Sequence, residues 1–182
     1  MKIYVKLFDG QTMPEFINKG RWVDLRANAD ATIKSPCIEK VISKEGSERL
    51  VCKIENTMIP LGIAMQAPKG FECLVVPRSS TYKKTKTILA NSIGIIDGVT
   101  YKGSVGYNGD NDQWWYNAVA LNTCHIKKGD RIAQFRIMLS QDATLWQKLR
   151  CLFSGKIELV QVDHLESKDR GGFGSTDKKE EK

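Results

Sequence analysis

Short runs of alternating or β-branched apolar residues recur along most of the chain and are typical of strands. Turn-forming residues such as Ser35-Pro36, Glu45-Gly46-Ser47 and Ala67-Pro68-Lys69-Gly70 separate these runs at short intervals. The pattern predicts strands at residues 2–8, 22–26, 32–33, 38–42, 49–54, 58–65, 71–76, 118–121, 131–138 and 156–165, with a further strand that enters a turn at residues 97–98. Many short strands with little helix predict an all-β sandwich or barrel.

Two stretches break the β pattern and predict short helices. The first follows Ser79-Ser80, which stand where a helix N-cap is expected, and extends through Lys84. The second covers residues 142–153 and has apolar residues at helical spacing, with Asp142 able to cap its start and Ser154-Gly155 able to end it. Because this helix is amphipathic, we expect its apolar face to pack on its own core or on a neighbouring subunit.

The 182 residues suffice for one domain with a real core. We expect a β domain at residues 1–166 and an arm at residues 167–182, whose polar, glycine-rich and charged sequence should be mobile when no ligand is bound. Five scattered cysteines without a Cys-x-x-Cys pair favour reduced thiols over disulfides or zinc. The first strand does not resemble a signal peptide and no apolar run is long enough to span a membrane, so we expect a cytoplasmic protein without a membrane partner.

The formal net charge is +7 at pH 7, and its distribution favours a polyphosphate ligand. Lys83, Lys84 and Lys86 lie beside the serine-rich turn, whereas glutamates offset the lysines of the tail. The sequence has no arginine-rich helix and no aromatic residues spaced for base stacking, so we expect no nucleic acid partner. The acidic run at residues 110–112 lacks the closing glutamate of an EF-hand, which disfavours a calcium loop.

Asp97 is the strongest candidate for a catalytic group. It follows the β-branched residues Ile93, Ile95 and Ile96 and precedes Gly98, so a strand would carry its carboxylate to the mouth of a hairpin, half-sheltered by the isoleucines. At that position a charged base would lie beside backbone groups able to read a substrate. From this stretch alone, a plain Asp-Gly turn without a catalytic function is the alternative.

Arg78, Ser79 and Ser80 form a candidate phosphate site at the end of a strand. A planar guanidinium, two hydroxyl groups and the start of a helix, all suited to phosphate oxygens, follow one another closely here. The alternative is an ordinary capped helix with a surface arginine. Two further candidates, Asp24 and Gln134, lie on the polar sides of predicted strands, where exposed polar residues without a function are also common.

Five segments, taken in order, resemble the motifs of the trimeric deoxyuridine triphosphatases (dUTPases), and the resemblance extends over essentially the whole chain. The segments are Trp22-Val23-Asp24-Leu25-Arg26, Pro77-Arg78-Ser79-Ser80, residues 91–97 with a following tyrosine, Gly129-Asp130-Arg131-Ile132-Ala133-Gln134, and Gly171-Gly172-Phe173-Gly174-Ser175-Thr176. The second, third and fourth are the most specific. Two segments are most similar to phage-like members from Gram-positive bacteria. They are residues 107–112 followed by Trp114, and Lys128-Gly129-Asp130-Arg131.

The resemblance implies a distorted jelly-roll β-barrel that assembles as a homotrimer and hydrolyses dUTP to dUMP and pyrophosphate with Mg²⁺. Each active site would draw on three subunits. Asp97 would polarise the attacking water and hydrogen-bond the sugar 3′-hydroxyl, while Asp24 and Gln134 would reach the metal through its water ligands.

The same resemblance implies which residues contact the substrate. Backbone groups of residues 91–96, including Asn91, Gly94 and Ile96, would read the uracil edge. Arg78, Ser79 and Ser80 would contact the phosphate chain. Phe173 would close over the uracil, and Ser175 and Thr176 would contact the γ-phosphate, with Gly174 between them and Phe173.

Two positions depart from the family pattern. Family members place a sugar-packing tyrosine three residues after the catalytic aspartate, whereas Tyr101 follows it here by four, and Tyr107 alone has the Tyr-x-Gly-Asp-Asn-Asp context. We favour Tyr107, with residues 98–106 as an enlarged hairpin tip. Lys168 stands where the fifth motif usually has an arginine, and Arg170, which is closer to the phenylalanine, is the candidate for substrate contact. The second predicted helix is an addition that compact members lack.

Two other functions remain as alternatives. dCTP deaminase shares the fold but needs a glutamate base near the pyrimidine, where this chain has Asp97. A regulatory protein that binds a repressor is the alternative from a different class, with residues 98–106 and 142–153 as candidate contact segments because both look like insertions.

Overall fold

The computed structural model describes residues 1–16, 21–99, 105–153 and 156–172. In chain order the strands are β1 (Lys2–Leu7), β2 (Glu15–Phe16), β3 (Val23–Arg26), β4 (Ala31–Ile33), β5 (Cys37–Ile42), β6 (Glu48–Lys53), β7 (Thr57–Pro60), β8 (Ile63–Gln66), β9 (Phe71–Pro77), β10 (Thr87–Leu89), β11 (Gly94–Ile96), β12 (Trp115–Ala120), β13 (Cys124–Ile126), β14 (Arg131–Leu139) and β15 (Glu158–Val162). The helices are α1 (Thr81–Thr85) and α2 (Leu145–Phe153). Strands thus dominate the described residues, which confirms the all-β prediction. Neither of these two helices has the length and apolar character needed to cross a membrane.

The strands form sheets in which neighbours come from distant parts of the chain. The largest sheet has the order β11-β9-β14-β3-β2 and is antiparallel throughout. Two further sheets have the orders β15-β1-β8 and β10-β12-β7, and β15 returns near the end of the chain to pair with β1 in parallel. The pairs β4-β13 and β5-β6 complete the pairing among the described strands. This arrangement agrees with the expected jelly-roll barrel.

Alternating side chains from the strands fill a single core. In β9, Phe71, Cys73 and Val75 are buried between more exposed neighbours, as the period of two requires. Trp114 and Phe135 meet edge to face in the core, with their ring centroids 5.3 Å apart. The largest sheet therefore has one face fixed by packing, and that face sets the register of the strands that carry the candidate site.

The strand predictions hold for most of the chain, but one predicted strand is divided in two and three short strands were not predicted. The predicted strand at residues 58–65 is two strands, β7 and β8, because the chain turns at Gly62, whose φ is +67°. β2, β10 and β13 have only two or three residues each, so no hydrophobic period could reveal them.

Helix α1 forms where it was predicted, but its cap differs. The Ser80 side chain makes no capping hydrogen bond. Instead, the Thr81 hydroxyl accepts a bond from the N–H of Arg78 at 3.0 Å and donates to the carbonyl of Ile132 at 2.8 Å. The start of this helix is thus tied to β14 through Thr81, and both serine hydroxyls are left uncommitted to capping.

Helix α2 starts later than predicted and exposes its apolar face. Thr144 and Gln147, rather than Asp142, close the first turn through reciprocal bonds between each side chain and the other's backbone N–H. None of the residues of α2 is buried, and Trp146 is 80% exposed. The expectation that this helix packs on its own core is therefore wrong for its apolar face. The predicted end at residues 154–155 lies outside the described residues.

Candidate active site

Asp97 directly follows β11, where the strand leaves the largest sheet. Its carbonyl accepts a hydrogen bond from the N–H of Tyr107 at 2.8 Å, so the chain closes back on Asp97 only after residues 98–106. The reversal is wider than the tight turn that Asp-Gly favours, and it agrees with an enlarged hairpin tip. Gly98 is needed for another reason, since a Cβ there would lie 1.8 Å from the carbonyl oxygen of Phe71.

The Asp97 carboxylate is half-sheltered, as the sequence predicted, but Ile93 and Ile95 do not provide the shelter. Its side chain is 45% exposed, and Ile93 and Ile95 are themselves exposed. The reason is that β11 lies at the edge of its sheet and pairs on one side with β9, which leaves alternate side chains open. The expectation of shelter by these isoleucines is wrong.

A pocket of about 210 Å³ lies beside Asp97. It brings together the strand edge that was predicted to read a base, the ring of Tyr107, and the first two glycines of the fifth motif. Its lining residues are Val75, Asn91, Gly94, Ile95, Ile96, Asp97, Tyr107, Gln113, Trp114, Trp115, Arg170, Gly171 and Gly172. Four separate parts of the chain thus converge on one carboxylate.

The strand edge of this pocket is tightly built. A Cβ at Gly94 would lie 3.2 Å from the side chain of Val75 on the paired strand, so a side chain there would press on β9. The amide of Asn91 donates to the carbonyl of Ile93 at 3.2 Å, which helps to fix the turn that leads into the strand. Backbone groups of this edge are therefore held in place next to Asp97.

Arg170 reaches the pocket and pairs with Asp97. Its Nη1 donates a hydrogen bond to the Asp97 carboxylate, and both side chains keep some contact with solvent. Lys168 is exposed and does not line the pocket. Of the two basic residues considered for the arm, Arg170 is thus the one that the structure places at Asp97.

Tyr107 contributes a fixed ring to the pocket. Its hydroxyl donates to the carbonyl of Gln113 at 2.8 Å. Burial raises the pKa of Tyr107 to about 12, and the nearby carboxylates of Asp112 and Asp169 act in the same direction. The phenol therefore stays protonated and keeps its hydrogen bond at ordinary pH. Tyr101 lies outside the described residues.

A second cluster forms around Asp24 on β3. Asp24 is 8% exposed, and its carboxylate accepts from Arg78 Nε at 2.9 Å and pairs with Arg131 Nη1 at 3.4 Å. Arg78 Nη1 is also 3.4 Å from the Ser80 hydroxyl. Gln134 stands opposite Asp24 in the sheet register. The structure thus joins three of the predicted motifs in one cluster of charged and polar groups.

Two predicted phosphate and metal contacts lie at the border of this cluster. Ser79 is exposed next to Arg78. The Gln134 side-chain NH₂ group donates to the carbonyl of Pro77 at 3.3 Å, and this bond does not use the amide oxygen. Phe173, Gly174, Ser175 and Thr176 lie outside the described residues.

The Asp97 pocket and the Asp24 cluster lie at opposite ends of β9. Ile96 pairs with Cys73, so Asp97 is level with Glu72. Burial, and then the charge of Asp97, raise the pKa of Glu72, in agreement with this placement. Arg78 is six residues further along, a separation of about 20 Å at roughly 3.3 Å per residue. Within a single chain, the Asp97 carboxylate and the Arg78 guanidinium are therefore too far apart to act on one phosphate group.

Sequence patterns did not predict a role for the acidic residues of the loop at 109–112. In the structure, Asp110 binds the N–H of Leu165 at 2.6 Å, and Asp112 binds the N–H groups of Arg170 and Gly171. These bonds hold the segment that ends in Arg170. The acidic run was considered as a calcium loop and as part of the motif around Tyr107, and spacing along the chain could not reveal partners more than fifty residues away.

The Asp24 cluster fits a hydrated magnesium ion and not a directly ligated one. Among the residues that the structure describes, no three His, Cys, Asp or Glu side chains come close enough to hold a metal. Asp24 and Gln134 offer one carboxylate and one amide oxygen, and the carboxylate already pairs with two arginines. Such a donor set suits Mg²⁺ if the ion keeps most of its water ligands and is shared with phosphate oxygens.

Comparison with known proteins identifies the family. The dUTPase family model matches residues 47–176. The SPbeta prophage-derived deoxyuridine 5′-triphosphate nucleotidohydrolase YosS of Bacillus subtilis (strain 168) is 41% identical over 177 residues, which cover 97% of this chain and 98% of that protein. The deoxyuridine 5′-triphosphate nucleotidohydrolase of Finegoldia magna is 30% identical over 128 residues, which cover 68% of this chain and 72% of that protein.

Solved structures share the fold at lower identity. The dUTPase from Streptococcus mutans superposes with a TM-score of 0.54 and 20% identity, over 74% of this chain and 94% of that chain. A mutant dUTPase from phage phi11 of S. aureus, in which a structural Mg(II) ion is coordinated, superposes with a TM-score of 0.57 and 18% identity, over 79% of this chain and 94% of that chain.

The β-barrel has a carboxylate pocket at one end of a strand and a cluster of arginines around Asp24 at the other, and such charged groups suit an enzyme that acts on a phosphorylated substrate. The chain belongs to the dUTPase family, and by that membership it is a hydrolase of dUTP.

Proposed function

We propose that this protein hydrolyses dUTP to dUMP and pyrophosphate at sites that are each assembled from neighbouring copies in a homotrimer. The observation that supports shared sites is the separation of about 20 Å between Asp97 and Arg78 along β9. A triphosphate bound near Arg78 of one copy meets Asp97 only if a second copy supplies it. The two half-sites of one chain then belong to two different active sites.

Asp97 is the group that positions and polarises water in this proposal. The Arg170 guanidinium pairs with the Asp97 carboxylate, but phosphate oxygens would compete for the guanidinium and free the carboxylate to orient water. The water then attacks the α-phosphorus, the bond to the bridging oxygen breaks, and pyrophosphate leaves with that oxygen. Asp97 is also proposed to accept a hydrogen bond from the sugar 3′-hydroxyl.

The Asp24 cluster is proposed to hold the phosphate chain. Arg78, Ser79 and Ser80 supply a guanidinium and two hydroxyl groups that α1 does not use for capping. Asp24 and Gln134 would hold Mg²⁺ through its water ligands. When bound, the ion neutralises phosphate charge. Ser175 and Thr176 of the arm, with Gly174, are proposed to contact the γ-phosphate.

Base and sugar selection are proposed to depend on the Asp97 pocket. The tight strand edge at Asn91, Gly94 and Ile96 would read uracil through backbone groups and exclude the thymine methyl group. The fixed ring of Tyr107 would exclude a ribose 2′-hydroxyl, and Phe173 would close over the base. Base and sugar selection can be tested by incubating the protein with dUTP, dTTP, UTP or dCTP and measuring the release of pyrophosphate and of ammonia. Equal turnover of dTTP would contradict uracil selection, and ammonia from dCTP would favour a deaminase.

Mixed assemblies test whether the sites are shared. Asp97→Asn and Arg78→Ala should each be inactive alone. When equal amounts of the two variants are unfolded together and refolded, about a quarter of the sites should regain activity. Such a site receives Asp97 from a copy of Arg78→Ala and Arg78 from a copy of Asp97→Asn. A mixture that stays inactive, while wild-type protein treated identically recovers, would show that Asp97 and Arg78 act within one chain.

A second function, binding of a regulatory protein such as a repressor, is favoured by the exposed apolar face of α2. A dUTPase from Staphylococcus bacteriophage 80alpha, similar in fold with a TM-score of 0.54, is described as controlling the transfer of virulence genes. Trp146→Glu should weaken capture of such a repressor and leave dUTP hydrolysis intact. Unchanged capture by this variant and by one lacking residues 99–105 would contradict the proposal.

A further inference from the structure

Asp112 is a buried carboxylate that the proposed reaction does not use. It is only 1% exposed, and it lies in the loop between Tyr107 and the core residue Trp114. Its Oδ2 accepts a hydrogen bond from the N–H of Gly109 at 2.9 Å, which closes the loop locally. A buried charge is costly unless other groups satisfy it, so its remaining partners indicate what it is for.

Those partners are backbone groups of the segment that carries Arg170. Asp112 Oδ2 and Oδ1 accept from the Arg170 N–H at 3.0 and 3.2 Å, and Oδ1 also accepts from the Gly171 N–H at 3.1 Å. Hydrogen bonds to an ionised acceptor are stronger than those between neutral groups. One carboxylate thus fixes two successive peptide groups at the base of the Arg170 side chain.

The surrounding contacts leave the segment little freedom. The Asp169 carboxylate accepts two hydrogen bonds from Asn111, one from the backbone N–H at 2.8 Å and one from the side-chain amide at 2.6 Å. Gly109 has no room for a side chain, because a Cβ there would lie 2.2 Å from the Asp169 carboxylate and 2.5 Å from its backbone. The loop at residues 109–112 and the segment at residues 169–171 are therefore held closely together.

We propose that Asp112 is a positioning residue for Arg170: it fixes the backbone of the segment so that the guanidinium faces Asp97. Arg170 has a long, flexible side chain, and anchoring its backbone reduces the entropy lost when it binds an anion. The inference rests on the proposed function, in which Arg170 exchanges Asp97 for the phosphates of the substrate. A role limited to closing the turn at Gly109 is the structural alternative.

A double-mutant cycle on kcat/KM for dUTP separates these two roles. Asp112→Asn keeps the shape of the side chain but replaces one acceptor oxygen with a donor group that faces backbone N–H groups. We expect Arg170→Ala to lower kcat/KM about 10- to 100-fold and Asp112→Asn about 10-fold, as for lost hydrogen bonds to charged groups. In the Arg170→Ala background, Asp112→Asn should then cost less than about 2-fold, because it acts through Arg170.

Asp30→Asn is the matched control. Asp30 also accepts a backbone bond, from the N–H of Lys128 at 2.7 Å, but within the part of the chain that the structure describes it makes no hydrogen bond or ion pair with the loop or the arm. This variant should keep wild-type kcat/KM in both backgrounds. If Asp112→Asn lowers kcat/KM equally with Arg170 present or absent, or if Arg170→Ala has no effect on an active enzyme, the positioning role is wrong and the proposed function stands.

Amide hydrogen exchange tests the anchor without relying on activity. In the substrate-free wild-type protein, the amides of Arg170 and Gly171 should exchange at least 10-fold more slowly than in Asp112→Asn. Asp30→Asn should not alter them. Unprotected amides in the wild-type protein overturn the proposal even if the variant does not fold. If the wild type lacks dUTPase activity but shows this protection, the proposed function fails and the anchor remains.

Discussion

Single residues in this protein are constrained by close approach of the backbone as much as by chemistry. Gly98, Gly94 and Gly109 each lie where another segment passes within contact distance, and each borders the Asp97 pocket or the loop beside it. The charged residues are equally committed, since Asp24 pairs with two arginines and Asp97 with one. The site is therefore built from positions where small size or a particular charge is required.

Gly98→Ala tests the backbone constraint next to Asp97. A methyl group would collide with the Phe71 carbonyl, which belongs to the largest sheet and cannot easily move, so we expect a loss of at least about 3 kcal/mol in the free energy of unfolding. Gly46→Ala, whose new Cβ meets open space although φ is +81°, should lose only about 1 kcal/mol. Urea unfolding measures both. Similar losses in the two variants would argue against the collision.

Asp110 gives the protein an acid-sensitive contact. The Leu165 N–H, then His164 and Lys6, lower the pKa of Asp110 from 3.8 to about 2. Because the pKa is lower in the folded protein, the stabilisation is present above about pH 4 and is lost as the pH falls towards 2. Wild-type protein should therefore lose more stability than Asp110→Asn over that range, as measured by urea unfolding at several pH values. Parallel curves would contradict this assignment.

At the scale of elements, α2 contacts the barrel through Gln147 and the half-buried Cys151, and not through its largest apolar side chains. Gln147 closes the first turn with Thr144 and donates to the carbonyl of Lys69 at 3.1 Å, while Trp146, Leu152 and Phe153 are exposed. An amphipathic helix normally buries its apolar stripe, so this orientation leaves that stripe available to another molecule.

Paired substitutions in α2 test this orientation. Gln147→Ala removes the cap and the bond to Lys69 and should cost about 1 kcal/mol of stability. Trp146→Gln should change the free energy of unfolding of this chain by less than about 0.5 kcal/mol, because the indole is exposed. Thermal or urea unfolding measures both. A larger cost for Trp146→Gln, absent at low protein concentration, would show that a second copy covers the helix.

For the whole molecule, the antiparallel order of the largest sheet separates the two halves of the proposed site. β11 and β3 lie on opposite sides of β9 and β14, and Asp97 and Arg78 lie at opposite ends of β9. No side-chain rearrangement can cover about 20 Å, so the proposed activity requires assembly.

Activity should therefore depend on protein concentration. Light scattering should give a mass of three times the 20.5 kDa of the chain, and specific activity should fall when dilution drives dissociation. Arg78→Ala serves as the inactive reference at every concentration. Full activity in a species with the mass of one chain would rule out shared sites.

The sequence by itself was enough to predict an all-β fold, the motif residues Asp24, Arg78 and Asp97, and membership of the dUTPase family, because period-two patterns and motif order are local properties of the chain. The tertiary structure decided which motifs meet. The pairing of Arg170 with Asp97, the anchor at Asp112 and the distance between Asp97 and Arg78 depend on strand register and long-range backbone contacts, which no local pattern specifies.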